Sequence, residues 1–470
     1  MTTEQFDYVV VGAGSAGCAV ASRLSESGRH SVLLLEAGPE SRRNPFVNMP
    51  LGFLQLMFSR RYNWQFNTEP QRHMHDRALF QPRGKMLGGS SAMNAQVYIR
   101  GHARDYDEWA RLGCEGWSYA DVLAYFQRSE TRSVGGDDYR GEQGPMQVQP
   151  ARDPNPLHEA YLEAARQAGH PYTRDFNGHQ QEGVGRFDVN INRGSRCSTA
   201  HAYLKPARSR ENLEIIVNAF VVRILFNGTR AVGVEYIKNG TLKQVLVERE
   251  VILSAGAINS PQLLMLSGIG DADHLRELGI GVVLDQPNVG KNLQDHVDLA
   301  VQHECQLPVT LYGVNKWNRA VGIALEWFLF RTGPGASAHI ETGAFLRSEQ
   351  NHETPDIQQQ FVPMFVVDHG LNWQDRHGYQ LYSLLLRPES RGYVRLRCAN
   401  PQAHPIMELN LLDSEQDRRT LREGVKLARE ILRQPAFDPF RGRELLPGES
   451  CVSDADIDAF VREQANSAYH

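Results

Sequence analysis

The chain has 470 residues, 41% of them hydrophobic and 22% charged, the composition of a globular protein long enough for two or more domains. A net charge of −5 with no basic run gives no case for nucleic acid. Six scattered cysteines without a C-x-x-C suggest no disulfide framework and, as a default, a reduced, cytoplasmic protein.

The first predicted elements are the most informative. Tyr8 to Val11 is a β-branched apolar run, followed at once by Gly12, Gly14 and Gly17 in the G-x-G-x-x-G spacing. Ala16, Ala19, Val20 and Leu24 then recur at helical spacing, with Gly28 closing the helix, and Val32 to Leu35 reads as a second buried strand ending at Glu36. In this strand–turn–helix, Gly12 permits the turn, Gly14 lets backbone approach a pyrophosphate, and Gly17 lets helix pack on strand. The helix N-terminus offers unpaired N–H groups to phosphate. Glu36, 19 residues after Gly17, falls where an acid accepting ribose hydroxyls belongs. The motif marks a dinucleotide site without separating FAD from NAD(P).

Residues 40–81 read as irregular, with Pro45, Pro50, Pro70 and several aromatics. His73 and His75 read as surface histidines, since no partner cluster accompanies them, and no metal site is expected. Arg83 to Asn94 is a second glycine loop, with Gly88-Gly89-Ser90-Ser91 at its centre and no Walker G-K-[ST]. A helix is predicted over 115–130 with Ser118 as N-cap, then a long surface connection over 131–156, then a helix from Pro156 to Ala168. Residues 170–196 read as irregular and Ser198 to Lys205 as a short helix. Three strand candidates follow, Leu213 to Phe226, Ala231 to Ile237 and Gln244 to Leu253, with Asn227-Gly228 and Asn239-Gly240 as hairpin turns. Residues 251–270, VILSAGAINSPQLLMLSGIG, read as strand, glycine turn and a helix capped by Ser260 with Pro261 in its first turn. The most membrane-like run, Val321 to Phe330, is too short to span a bilayer, so a peripheral contact is left open. The stretches 414–433 and 453–461 complete the helices, the latter with a Ser453/Asp456 capping box.

Three long motifs resemble the glucose-methanol-choline (GMC) oxidoreductase family: GAGSAG…LLLEAG, PRGKMLGGSSAMNAQVYIRG and GAINSPQLLMLSGIG. PNVGKNLQDH, RPESRGYVRL and RGREL near 441 extend the resemblance over essentially the whole chain. Within the family, residues 311–345 and 440–449 look most like choline dehydrogenases, whereas MPLGF and VYIRGHARDYDEW also resemble members acting on long-chain or polyether alcohols. The fold implied is α/β: a Rossmann-like FAD-binding domain with a β-meander (1–155 and 195–302, with 461–470) and a substrate-binding domain with a mixed or antiparallel sheet and helices (156–194 and 303–460).

The resemblance implies FAD-dependent oxidation of a primary alcohol by hydride transfer, choline to betaine aldehyde, with a quinone or another non-oxygen acceptor. The default location remains the cytoplasm, with a peripheral inner-membrane association left open. Gly12, Gly14, Ser15, Ala16, Gly17, Glu36 and Ala37 would hold the ADP half, and Leu87, Gly88, Asn94 and Val97 would flank the flavin. Val221 would contact adenine, or equally be a core valine. Met93 stands where covalently flavinylated members carry histidine, which implies non-covalent FAD. His470 falls on the catalytic histidine, and the family pattern continues beyond it with a strand, a second catalytic group and a helix facing the flavin. Glu341 resembles the acid facing a trimethylammonium group, with a salt-bridged structural glutamate as the equal alternative. The competing functions are dehydrogenation of aliphatic or polyether alcohols, an inactive FAD-binding fragment, a nicotinamide-dependent reductase, and a redox-neutral lyase of the same family.

Overall fold

The computed structural model describes residues 4–42, 44–314, 316–366 and 374–470. Two sheets organise it. The first has strand order Leu213–Val217, Val32–Glu36, Gln5–Val11, Thr241–Leu253, Arg230–Lys238, Ala219–Asn227. Its first four strands are parallel and bring Val217, Glu36, Val11 and Leu253 to one edge. The last three form the antiparallel meander. Thr241–Leu253 belongs to both halves: its beginning pairs with the meander and its end runs parallel to Gln5–Val11. Ser15–Leu24 packs on the parallel part, with Cys18 and Ala21 buried against Val10, Val32 and Leu34. Strands that read as continuous apolar runs are thus covered on both faces, as parallel sheets require.

The second sheet has seven strands, antiparallel throughout, with Val297–Cys305 and Gly378–Leu385 at its centre. Side chains alternate faces along a strand. Val297, Leu299 and Val301 join the largest apolar core, under the helices Glu415–Leu432, Pro156–Gln167 and Asp454–Gln464. Asp298, Ala300 and Gln302 face a large cavity, together with Gln358, Gln360 and Tyr382 from neighbouring strands. One face of this sheet is core and the other is the wall of a site.

Several elements depart from the sequence reading. The first meander candidate is two strands, because Asn218 turns left-handed at φ +53° and sends Leu213–Val217 into the parallel sheet. The helix after Leu253 starts at Gly256, so Ser260 is no cap and Pro261 lies inside Gly256–Leu266. The first helix ends at Leu24, and Gly28 belongs to the turn beyond it. Short helices, Pro45–Asn48 and Phe53–Leu56, break the irregular 40–81 stretch, and Gly183–Arg186 takes part of 170–196 into the second sheet. The predicted surface connection holds Glu130–Arg132, Met146–Pro150 and the fully buried Arg140. The Arg140 guanidinium binds Glu130, Asp175 and Asp188, while Glu130 also accepts from Arg100. A Gly/Asp-rich composition conceals such a network, since each charge is neutralised only by residues far away in sequence.

Removing one partner of a buried ion network leaves the others uncompensated. Arg140→Ala is expected to destabilise the protein by about 3–5 kcal/mol, read from denaturant unfolding. Loss within the range of a surface substitution would contradict the burial.

Candidate active site

Two cavities meet at the second glycine loop. The smaller, of about 470 Å³, lies at the carboxyl edge of the parallel strands and is lined by Gly12, Gly14, Ser15, Ala16, Glu36, Ala37 and Val221. This edge is where ligands bind in open α/β sheets. The larger, of about 1160 Å³, lies on the inner face of the second sheet and is lined by Asn94, Val97, Asp298, Tyr382 and His470. Ser90 lines both.

The smaller cavity is built for a phosphate-bearing group. Gly12 sits at φ +94°, and a Cβ there would meet Ser254 O at 2.7 Å. A Cβ on Gly17 would meet Gly12 O at 1.9 Å. Ser15–Leu24 and Gly256–Leu266 both begin at the cavity, and neither has a side-chain N-cap, so their first N–H groups are left for a ligand. Glu36 is buried, with one carboxylate oxygen accepting from Ala13 N–H at 2.9 Å and the other from Gly38 N–H at 2.7 Å. Burial nevertheless pushes its carboxyl up to about 7. Hydroxyl donors from a ribose would favour its charged form. Trp64 and Phe220 complete the wall, with ring centroids 6.1 Å apart.

The second glycine loop is docked on the first. Gly88 N–H donates to Ala13 O at 2.7 Å, and a Cβ on Gly89 would lie 2.6 Å from Gly14 Cα. Leu87 is buried with Val10, Ala13 and Cys18. Leu87, Gly88 and Gly17 thus lie behind the cavity walls and shape them. Asn94, at the end of the loop, is fixed by Arg196, whose Nη1 reaches Asn94 Oδ1 at 2.9 Å and Asn94 O at 2.6 Å. Arg196 is itself buried, and burial pushes its guanidinium down to about 9. The sequence reading missed it in the polar 170–196 stretch.

At the far side of the larger cavity, Asp295 clamps the segment carrying His470. One oxygen accepts from His470 N–H at 2.8 Å and the other from Ser467 Oγ. His296 N–H donates to His470 O at 3.1 Å, and Ala468 N–H to His296 O at 2.9 Å. The His470 Nδ1 lies 2.8 Å from Ala468 O. A carbonyl only accepts, so Nδ1 carries a proton in this bond and Nε2 is the ring nitrogen left outside it. The two imidazole centroids are 4.7 Å apart. Burial and the neighbouring His470 push His296 down to about 3, so it stays neutral.

Four acids line this cavity, Asp105, Asp295, Asp298 and Glu389, and Asp298 stands apart from the clamp that Asp295 makes. Among the described residues its carboxylate has no ion-pair or hydrogen-bond partner. Burial, reinforced by Asp295, raises its carboxyl well above the usual range. Its charge in turn helps to raise the Tyr382 and Tyr469 hydroxyls. Glu341 is placed otherwise. It is buried and accepts from Asp153 N–H and Ser337 Oγ, while its neighbours Ala338 and Ile340 line the cavity in its stead. The signal for Asp298 was present: an acid at an alternate position of the apolar strand VDLAV, just after the LQDH motif.

A family model described as GMC oxidoreductase matches residues 6–298, and a second of the same description matches 388–470. The chain is 51% identical to the mitochondrial choline dehydrogenase of Mus musculus, over 99% of this chain and 79% of that protein. It is 47% identical to the oxygen-dependent choline dehydrogenase of Brucella melitensis, over 99% and 84% of the two chains. Among solved structures, pyridoxine 4-oxidase from Mesorbium loti superposes with a TM-score of 0.89 at 31% identity, over 99% of this chain and 87% of that one.

Gly17→Ala forces a Cβ into the Gly12 carbonyl and displaces the turn that holds the helix N-terminus. The variant is expected to purify with at least about tenfold less bound dinucleotide, measured by absorbance after denaturation. Full occupancy would contradict the close approach.

Proposed function

The chain belongs to the GMC oxidoreductase family of FAD enzymes, and we propose that it dehydrogenates choline to betaine aldehyde. The observation that carries the substrate is Asp298, an unpartnered acid with Tyr382 and Tyr469 in the same cavity as His470. A trimethylammonium group has no N–H to donate, so it is held by charge and by aromatic faces. Asp298 offers the charge and the tyrosines offer the faces. In this reading Asp298, and not Glu341, is the acid facing the cation. The FAD fit rests on the uncapped helix starts, the glycine cradle and Glu36. When bound, FAD supplies the hydride acceptor.

His470 takes the alcohol proton at Nε2 as the hydride leaves the carbinol carbon, so two electrons and two hydrogens depart and the aldehyde remains. Asp295 holds the backbone of His470 in place, and the Ala468 carbonyl fixes its tautomer. Asn94 is fixed by Arg196 at the flavin end of the cavity. Met93 carries a thioether in place of a nucleophilic nitrogen, which supports non-covalent FAD. We retain the two-domain division, with the meander domain for the cofactor and the second sheet for the alcohol. The electron acceptor in this proposal is a quinone-type carrier rather than oxygen, and the protein is cytoplasmic and peripheral on the inner membrane. The volume of the larger cavity keeps a longer aliphatic or polyether alcohol as the second reading.

Asp298→Asn is expected to raise KM for choline by about tenfold or more while leaving the uncharged carbon isostere of choline nearly unaffected. The ionised acid binds the cation and its carboxyl is raised above the usual range, so KM for choline falls as rising pH ionises it, and the isostere shows no such slope. Equal effects on both substrates, or faster turnover of long-chain alcohols, would favour the second reading. Running the assay with a soluble quinone under nitrogen and then in air separates the acceptors, since oxygen uptake matching turnover would overturn the quinone. His470→Ala is expected to lower kcat by about 10²–10⁴-fold with flavin content retained. Parental turnover in that variant would remove His470 from the chemistry, and any turnover by the parent chain excludes the inactive-fragment reading.

A further inference from the structure

The helix Trp317–Phe330 is apolar on the side that faces water. Ala320, Ile323, Ala324 and Trp327 form its inner stripe, and Trp327 Nε1 donates to Gly194 O at 2.7 Å. The outer stripe, at the same helical spacing, is Trp317, Val321, Leu325, Phe328 and Leu329. Trp317 is 81% exposed and Leu329 70%. A helix apolar on both faces belongs in an interior, and a surface helix normally turns a polar face outward. Contiguous exposed apolar patches of this kind mark contact sites.

The charges around the stripe narrow the contact. Arg319 stands at the helix start, and Arg193 and Arg331 lie together at its end. Among the described residues none of the three makes an ion pair, although the chain as a whole carries −5. Arg331 lies over the Trp327 ring at 3.8 Å, and Arg319 binds the Tyr312 carbonyl. Lys316 is partnered by Asp375 at 3.2 Å. The one acid of the helix, Glu326, is folded back toward Thr332 and Gly333. A second copy docked about a two-fold axis would set an antiparallel helix pair with Arg319 against Arg193 and Arg331, like charge on like charge. An anionic lipid surface meets the same groups with attraction, and an apolar stripe flanked by cations is the pattern of a helix lying in the plane of the interface.

We propose that Trp317–Phe330 is a bilayer-docking helix, embedding its outer stripe among lipid tails with Arg193, Arg319 and Arg331 on anionic headgroups. The helix is about 21 Å long, enough to lie in one leaflet and not to cross it. This deepens the membrane half of the proposed function and needs none of its alcohol chemistry. The chain leads from the helix into the cavity wall at Ala338 and Ile340, so the docked face adjoins the site.

The test is sedimentation of the whole chain with vesicles of phosphatidylcholine, with and without phosphatidylglycerol, at low and high salt. The parent is expected to sediment with the anionic vesicles, less so as salt rises. The double variant Leu325→Asp, Phe328→Asp is expected to partition at least tenfold more weakly, and Arg319→Gln or Arg331→Gln about fivefold more weakly. All four side chains are exposed, so an unchanged thermal melt is expected and shows that the variants fold. Equal sedimentation of parent and double variant overturns the proposal, as does equal binding to neutral and anionic vesicles. A parent dimer that the double variant dissociates in the ultracentrifuge also overturns it, by assigning the stripe to a second copy. These readouts contain no alcohol or flavin step, so their failure is distinct from failure of the proposed activity.

Discussion

The site depends on one backbone contact, the seating of Gly89 against Gly14. A Cβ on Gly89 would run into the Gly14 backbone, so the two glycine turns register directly on each other. The first turn fixes where a pyrophosphate can lie, because Gly12 and Gly17 bring the Ser15–Leu24 N-terminus to the sheet edge. The second turn inherits that position through Gly88 N–H and Ala13 O and carries it on to Asn94 and the larger cavity. Two cavities belonging to different sheets are thus spaced by backbone alone. Backbone spacing is less adjustable than side-chain packing, which suits a site that must hold a long cofactor and a small alcohol end to end.

Electrostatics divide the two cavities. The smaller offers uncapped helix starts, partial positive charge and a single acid, Glu36, tied to two amides. The larger concentrates Asp295, just before the strand Val297–Cys305, and Asp298, within it, with His296 and His470 beside them. Burial raises both carboxyls, and the neighbouring Asp295 raises Asp298 further. A bound cation relieves that strain directly, so a charged substrate is favoured by what the empty cavity finds costly.

Much of this was legible in the sequence because it is local. The first glycine turn, the capping boxes at Ser118 and Ser453, and the hairpin at Asn239-Gly240 each depend on residues within a few positions. The split of the meander at Asn218 was harder to read, since a left-handed asparagine leaves the apolar run on either side intact. The buried Arg140 and Arg196 could not be read at all from neighbours in sequence. Their partners lie tens of residues away, and only tertiary structure neutralises them. Asp298 and Glu341 could not be told apart in the sequence for the same reason. Both are acids beside apolar residues, and which one faces the cavity depends on sheet register and on the Asp153 and Ser337 partners that engage Glu341.

The short link from His470 Nδ1 to the Ala468 carbonyl has a consequence for traffic through the site. It closes the rear of the imidazole, so the ring cannot relay a proton from one nitrogen to the other and out through the protein. In the proposed mechanism a proton gained at Nε2 departs by the face on which it arrived. That face opens on the larger cavity. Emptying the cavity and resetting the base would therefore share a single door.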